Sequence, residues 1–334
     1  MSNSSGVKNF NVAYNLNKID KTVTQNANNT VDQLIKQVDV DTFDFDEFDD
    51  LTELNVPKGD WIFGEEAKST EQFGGSQGRL IANFENLFSN DPIIKEIVSK
   101  YYSDVSIEDL ELLFTKMDDT GCGYIAAINT LFSDYAIKSP EEFYKHFGFY
   151  PTIERNNKNL DKKVTFYNYD YLFLDFFLYH AKTKGFTKIE DVYGNIDELI
   201  DLENQGKDIS IEETGMGGTY EIEVANLFAD YLKEKGIDLK VTKNDQPLDV
   251  NTINKILRDG DQIVIGGESF DLYEPKDVNN NNVLDDISME DVEPHTMYLV
   301  GTTGDPDKVV VSSWGEEYIM NIEDITDAVI YSYN

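Results

Sequence analysis

A change in hydrophobic periodicity near Gly260 divides the sequence into two parts. Before it, apolar residues recur at helical spacing, most clearly over residues 221–235, where acidic residues open the segment, lysines close it and Gly236 follows. After it come short β-branched and aromatic runs separated by Gly, Pro and Asp, such as residues 262–265 and 296–300. Helices followed by strands predict an α+β fold, in which an N-terminal helical half packs on a C-terminal antiparallel sheet half.

Residues 1–75 differ from the rest of the chain in composition. The acidic segment 39–51 and several Asn-rich runs lack the apolar density of a domain, which predicts a loosely ordered extension that is dispensable for folding. The spaced apolar residues of segment 39–51 also fit a peptide lying against the main domain, although a solvated acidic tail is the simpler interpretation. We therefore expect a compact domain over residues 76–334, with its helical half at about 76–260 and its sheet half at about 261–334.

The charge balance narrows the set of partners. The chain has 28 Lys and Arg against 64 Asp and Glu, a net charge of −36, which disfavours binding to nucleic acid or anionic lipid. No apolar run is long enough to span a membrane, and the N-terminus lacks the features of a cleaved signal peptide. We therefore expect no nucleic acid partner, no membrane insertion, and a location in the cytoplasm or, after export without a cleaved signal, outside it.

The single cysteine, Cys122, excludes an internal disulfide and a cysteine-rich metal site. It stands between two glycines in DDTGCGYIAAIN, at the start of a predicted amphipathic helix. The helix dipole and the unpaired N–H groups of a first turn favour the thiolate, whereas a buried and inert thiol is the alternative for an isolated cysteine. Asp118 and Asp119, just upstream, are predicted to cap this helix.

A histidine and two serines flank a turn near the C-terminus. His295 opens the strand in EPHTMYLVG, and Ser312 and Ser313 close the strand in KVVVSSWGEEY. Residues equidistant from a hairpin turn face each other, which predicts that His295 and Ser312 are close in space. A base held by a neighbouring oxygen and facing a thiol is what nucleophilic catalysis by cysteine requires. The other histidines, His146 and His180, lie in helical contexts and are predicted to be structural.

In this order, the motifs resemble those of the papain-like cysteine peptidases, most closely the bacterial branch that includes the double-glycine leader peptidases of bacteriocin exporters. GCGYIAAIN is similar to the family's Cys-Gly followed by a helix, and HTMYLVG resembles its histidine strand. INKILRDGDQIVIGG resembles the helix, turn and strand before that histidine, and SSWGEEYIM the family's Asn-Ser-Trp-Gly. The resemblance covers about residues 110–325. It implies a papain-like fold and a thiol peptidase or related amide hydrolase that acts on a peptide or protein and requires no cofactor.

The resemblance also implies roles for individual residues. Cys122 corresponds to the nucleophile and His295 to the general base and acid, while Ser312 takes the place of the Asn that orients the imidazole. Trp314 matches the aromatic residue that shields this pair from water. Lys116 stands six residues before the cysteine, where the family has the Gln of its oxyanion hole. It is therefore the candidate second donor beside the Cys122 N–H, with a solvated surface lysine as the alternative.

One further segment, DVNNNNVLDDISMED, has part of the pattern of a calcium loop. It is similar to EF-hand and dockerin loops in having oxygen ligands at positions 1, 3, 5 and 9: Asp277, Asn279, Asn281 and Asp285. Position 6 is Asn282 instead of Gly, and position 12 is Ser288 instead of an acid. An Asn-rich solvated insertion is therefore favoured, with a calcium site as the alternative.

Two other functions use the same fold and residues. The first is deamidation of, or acyl transfer to, a partner's Gln, as in effector-type toxins. The second is a degenerate member of the family that binds peptides without cleaving them.

Overall fold

The structure is a computed structural model that describes residues 58–60, 71–133, 139–157, 162–194, 216, 221–276, 285–292, 294–303 and 305–333. Its helices are short to medium in length. In chain order they are α1 (Arg79–Ala82), α2 (Pro92–Ser99), α3 (Ile107–Thr120), α4 (Cys122–Leu131), α5 (Pro140–Phe147), α6 (Tyr169–Thr183), α7 (Ile189–Tyr193), α8 (Glu221–Glu234) and α9 (Val250–Arg258). Within the described part of the chain, no helix is both long and apolar enough to cross a membrane.

The strands fall into one large antiparallel sheet and two small hairpins. The hairpins are β1 (Lys58–Asp60) with β2 (Glu71–Phe73), and β3 (Thr152–Asn157) with β4 (Lys162–Tyr167). The large sheet has the order β5-β12-β6-β9-β10-β11-β7-β8. Its strands are β5 (Leu239–Lys243), β6 (Gln262–Gly267), β7 (Phe270–Lys276), β8 (Asp285–Val292), β9 (His295–Thr302), β10 (Lys308–Ser313), β11 (Glu316–Asn321) and β12 (Asp327–Tyr333).

The α+β class and the antiparallel sheet agree with the sequence prediction. The start of the sheet half does not agree with the prediction of about residue 261. β5, at Leu239–Lys243, pairs with β12 and forms one edge of the large sheet, so that sheet begins before α9 and not at residue 261, and the β3–β4 hairpin also lies within the expected helical half. β5 is a short segment with only one of its five residues buried, and an edge strand of this kind carries little of the apolar signal that identifies a buried strand.

Helix α4 is the centre of the helical half. Every residue from Gly123 to Leu131 is buried, in a core that it shares with α3, α6 and α8. The predicted amphipathic helix is therefore wrong at this position, since α4 has no solvent face beyond its first residue. It also lies against the central strand β9.

The two faces of β9 contact different groups of apolar residues. Tyr298 and Val300 pack with Phe73, whereas Met297 and Leu299 belong to the core formed with α9. Alternate residues of a strand point to opposite faces, so α4 and α9 cover opposite sides of the sheet. His295 is the first residue of β9, so the histidine lies at one end of this covered strand.

Residues 71–75 belong to the folded domain, so the expected boundary at residue 75 lies too far along the chain. Phe73 is buried in the apolar group described above, and its N–H donates to the carbonyl of Gly315 over 2.7 Å. Gly74 has φ +85°, and a Cβ there would lie 2.4 Å from Ser312 Oγ, so only glycine fits. The acidic segment 39–51 lies outside the described residues.

Candidate active site

The site begins where two helices meet at a single residue. Helix α3 ends at Thr120 and α4 begins at Cys122, with Gly121 between them. A Cβ at Gly121 would lie 2.3 Å from the carbonyl oxygen of Met117 and 2.4 Å from Cζ of Phe173, so glycine is required for this close packing. Because Gly121 is the N-cap and no side chain caps the helix, the first N–H groups of α4 are available beside the thiol.

The aspartates upstream of the cysteine do not have the predicted role. Asp118 and Asp119 lie in the last turn of α3 and do not cap α4. Burial and the neighbouring charge of Asp119 raise the pKa of Asp118 to about 6. Neither aspartate can cap α4, because the chain stays helical up to Thr120 and leaves no extended residue before the cysteine.

Cys122 is a half-buried free thiol at the first position of α4. Burial raises the pKa of the thiol, and the negative charge of Glu221 acts in the same direction. Main-chain N–H groups of Thr296 and Gly123 oppose this shift by donating toward the sulfur, and the Thr296 hydroxyl is also within reach. The thiol is therefore protonated at neutral pH, although it lies beside donors that stabilise a thiolate once one forms.

His295 opens β9 opposite Gly267 of β6 and is held on two sides. Its Nε2 lies 2.7 Å from Ser313 Oγ, and its ring stacks on Trp314 with centroids 4.6 Å apart and an angle of 21°. Burial lowers the pKa of His295 to about 4. The imidazole is therefore neutral at pH 7 and fixed in orientation.

Ser312 lines the same pocket as His295, but it does not face the histidine across the β9–β10 pair as expected. In the β9–β10 pairing Ser312 lies opposite Tyr298, with a register shift between Val310 and Val311. Its hydroxyl donates to the carbonyl of Phe73 over 2.8 Å and also lies 3.4 Å from Asn129 Nδ2. Because successive residues of a strand point to opposite faces, the next residue, Ser313, is the one that reaches the imidazole.

Trp314 and Gly315 form the turn between β10 and β11. Both have positive φ, +49° for Trp314 and +82° for Gly315. Glycine adopts this conformation freely, whereas for tryptophan it costs about 1–3 kcal/mol and persists only when the surroundings hold it. Here the turn directs the indole onto the imidazole, where the family resemblance predicts a shielding aromatic.

Cys122 and His295 line the same small, narrow pocket. The residues around it come from the segment before α1, from α4, from β9 and from the end of β10: Gln77, Cys122, Ile125, Ala126, His295, Thr296, Ser312, Ser313 and Trp314. The thiol and the imidazole have different hydrogen-bond partners, Thr296 and Gly123 for the first and Ser313 for the second. The pocket thus brings together a thiol, an imidazole and a serine hydroxyl within hydrogen-bond distance of that imidazole.

The predicted oxyanion residue Lys116 does not line this pocket. It is 2% exposed within α3, and burial lowers its pKa. It is therefore neither the predicted donor nor a solvated surface lysine. Gln77, from another part of the chain, does line the pocket, and its side-chain NH₂ donates to the carbonyl of Asp118.

Gln77 is not among the residues predicted from the sequence, because it lies far from Cys122 in the chain. The only local signal is the glycine-rich run FGGSQG around it. The Cβ of Gln77 lies 3.0 Å from the position that a Cβ at Gly121 would take. The segment before α1 therefore touches the α3–α4 junction next to Cys122. A Gln amide has two N–H groups, and donation of one to Asp118 leaves the other for a ligand.

The remaining sequence-predicted residues lie elsewhere. His180 Nδ1 is 2.5 Å from Tyr124 Oη in the helical core, and His146 Nδ1 donates to the carbonyl of Lys235. Neither histidine lines the pocket. Of the calcium-loop residues, Asp277, Asn279 and Asn281 lie outside the described residues, and Asp285 begins β8 opposite Lys276.

Comparisons of this sequence with protein-family models and with curated proteins find no match. The case for a function therefore rests on the chemistry of the pocket and its neighbours.

Proposed function

We propose that this chain is a papain-like cysteine peptidase or a related amide hydrolase, with Cys122 as its nucleophile and a peptide or protein as its substrate. The observation that carries the proposal is that Cys122, at the start of a buried helix, opens onto one pocket with an imidazole held by Ser313 and Trp314. The packing of α4 on the strand that carries the histidine supports a papain-like arrangement.

The orientation of His295 determines which nitrogen acts as the base. If Nε2–H donates to Ser313 Oγ, the lone pair is on Nδ1, which is then the atom that accepts the thiol proton. The resulting Cys122 thiolate attacks the carbonyl carbon of the scissile amide and forms a carbon–sulfur bond. The developing oxyanion accepts hydrogen bonds from the Cys122 main-chain N–H and from the Gln77 side chain.

The tetrahedral intermediate collapses by breaking the carbon–nitrogen bond. The imidazolium of His295 gives its proton to the leaving amine, which departs and leaves an acyl group on the sulfur. A water molecule then gives a proton to His295 and attacks the thioester carbonyl. Collapse releases the carboxylic acid, and the proton returns to the sulfur, which restores the starting state.

The lowered pKa of His295 predicts an unusual acid limit for activity. The base must be neutral, so hydrolysis is lost as pH falls through the pKa of the imidazole. We expect the acid limb of kcat/KM to fall near pH 4, the value of His295 in this buried setting, and not near pH 6.5. A pH–rate profile of the free enzyme measures this. An acid limb near 6.5 would mean that the imidazole is solvated during turnover.

The two adjacent serines provide a matched pair of variants. We expect Ser313→Ala to lower kcat by about 3- to 10-fold, because it removes the hydrogen bond that orients His295. Ser312→Ala removes bonds to Phe73 and Asn129 instead, and is expected to lower the free energy of unfolding by about 1 kcal/mol with a smaller change in kcat. Steady-state kinetics and denaturant unfolding of both variants test this. A larger kcat loss for Ser312→Ala would contradict the assignment.

Gln77 gives the proposal an independent test. Gln77→Ala removes one donor to the oxyanion and is expected to lower kcat by about 10²-fold while changing KM little. Gln77→Glu retains the size of the side chain, removes the donor and adds a negative charge, so its loss should be at least as large. The matched control is Lys116→Met, which is buried but does not line the pocket. Equal losses of kcat in Gln77→Ala and Lys116→Met would argue against an oxyanion role for Gln77.

The experiment that tests the function itself exposes the full-length protein to a peptide library and to intact protein extracts, with Cys122→Ala as the control. New peptide termini identify a peptidase, and conversion of Gln to Glu without cleavage identifies a deamidase. A Gln side chain joined to a new acyl or amine group identifies transfer. The absence of any Cys122-dependent product from these substrates would contradict the enzymatic proposal.

A peptide-binding protein without catalysis is the second candidate. It is favoured by the resting state of the site, in which burial holds both thiol and imidazole in their neutral forms. Binding without cleavage predicts that the parent and Cys122→Ala retain a peptide equally well and that neither modifies it. Catalysis predicts that only Cys122→Ala retains an intact substrate.

A further inference from the structure

A carboxylate outside the predicted catalytic set reaches the strand that carries His295. Glu221 is the first residue of α8, and its Oε1 accepts a hydrogen bond from Thr296 Oγ1 over 2.8 Å. Gly266 of β6 makes the approach possible, because a Cβ there would lie 2.2 Å from that carboxylate oxygen. A glycine within a covered strand is destabilising unless something occupies the space it leaves. Here Glu221 occupies that space.

Thr296 connects this carboxylate to the nucleophile. It follows His295 in β9, is 6% exposed and lines the pocket with Cys122. A hydroxyl has one proton to donate. When that proton lies on the bond to Glu221, the Thr296 oxygen presents only lone pairs to the sulfur, and those lone pairs accept from a thiol but repel a thiolate.

We propose that Glu221 is a positioning residue that takes the hydroxyl proton of Thr296 away from Cys122 and so adds to the effect of burial in keeping the nucleophile in its thiol form at rest. The inference rests on the proposed function only in taking Cys122 as the nucleophile. Release of the Thr296 hydroxyl from Glu221 lets it donate to the sulfur, which adds a donor to those already present on the main chain. Glu221 therefore restrains thiol reactivity.

Other ionisable groups lie near Glu221 and near the Cys122 sulfur, the two ends of the connection through Thr296. Lys243 on β5 and Tyr331 on β12 face the Glu221 charge, and Lys243 also pairs with Asp327 over 2.9 Å. At the sulfur end, His295 is the other ionisable residue lining the pocket, and it is neutral at pH 7. Replacing Glu221 therefore removes the negative charge that acts on Cys122 without altering the charge state of His295.

The test is the pH dependence of iodoacetamide alkylation at Cys122 in the full-length protein. Glu221→Gln removes the negative charge and leaves only a weaker, neutral acceptor for the Thr296 proton. It is therefore expected to lower the apparent thiol pKa and to raise the alkylation rate at pH 7 by about 3- to 10-fold, equivalent to a pKa fall of about half to one unit. The matched control is Glu223→Gln, an exposed acid in the same first turn, which should leave the rate within about 2-fold of the parent.

A double-mutant cycle separates the hydroxyl connection from a simple charge effect. With Thr296→Val in the background, Glu221→Gln should change the alkylation rate by a clearly smaller factor than in the parent, because no hydroxyl proton remains to be redirected and only the direct effect of the Glu221 charge on the sulfur is lost. Thr296→Ser keeps the hydroxyl and should restore the full effect, which also guards against a folding defect in the Thr296→Val variant. The same fold-change with and without Thr296→Val, or none in the parent, would overturn the proposal.

Failure of this inference is distinguishable from failure of the proposed function. Alkylation reports the state of the sulfur whether or not the protein cleaves a peptide. A Glu221 effect without Cys122-dependent cleavage would leave the inference standing and reject the enzyme. Cys122-dependent cleavage without a Glu221 effect would reject the inference and leave the proposed enzyme standing.

Discussion

His295→Ala is expected to lower kcat/KM for peptide hydrolysis by about 10⁴-fold or more, and Cys122→Ala to abolish it. The reason lies in the resting state of the pair. Burial raises the pKa of the thiol and lowers that of the imidazole to about 4, so the pair rests as neutral thiol and neutral imidazole. No preformed thiolate is then available to react without its base, and proton transfer to His295 becomes part of the barrier.

Two measurements together test this assignment. Hydrolysis of the best substrate found in the library should depend on His295 at every pH. Alkylation by iodoacetamide at high pH should depend on it much less, because hydroxide then removes the thiol proton. His146→Ala is the control histidine, since His146 lies outside the pocket against the carbonyl of Lys235. Hydrolysis at the parental rate in His295→Ala would remove the histidine from the mechanism.

The pocket-lining residues that could be predicted from the sequence are those whose context is local. Cys122 and its flanking glycines lie at a helix start, and His295 and Trp314 lie at strand ends, so each signal was contained in a few neighbouring residues. The predicted pairing of Ser312 with His295 was displaced by three residues, since Ser312 pairs with Tyr298, and the register shift between Val310 and Val311 is one part of that displacement. A shift of one residue exchanges the two faces of a strand, and a symmetric count from the turn does not detect it.

Contacts between distant parts of the chain could not be predicted in the same way. Gln77 reaches the pocket from the segment before α1, and Glu221 reaches Thr296 from the start of α8. Lys116 was selected by counting six residues back from the cysteine. That count assumes the chain path of the resembled family, whereas here the residue lies in α3 and points into the protein.

The N-terminal extension shows how composition misplaces a boundary. Most of residues 1–75 has the polar, acidic character of a tail, and that average concealed one short apolar segment at its end. Phe73 is that segment's contribution to the core. A window average cannot resolve a single strand of three residues such as β2, although one buried aromatic in it is enough to tie the segment to the sheet.

Removing residues 1–75 is therefore expected to prevent cooperative folding, contrary to the expectation that this extension is dispensable. Deletion takes away Phe73, which is 5% exposed among Tyr298, Val300 and Val310. It also leaves the Ser312 hydroxyl without the Phe73 carbonyl and the Asn129 amide oxygen without the Gly75 N–H, which it accepts at 2.9 Å. Buried polar groups that lose their partners cost about 1–3 kcal/mol each.

Point variants make the same prediction quantitative. Phe73→Ala is expected to lower the free energy of unfolding by about 3–5 kcal/mol, a large part of the roughly 5–15 kcal/mol that stabilises a typical domain. Tyr150→Ala removes an aromatic that is 44% exposed and should cost about 1 kcal/mol or less. A chain beginning at Lys58 keeps every contact of Phe73 described here and should unfold in one cooperative transition. If the chain beginning at Ser76 unfolds with the parent's denaturant midpoint, residues 71–75 do not contribute to the stability of the domain.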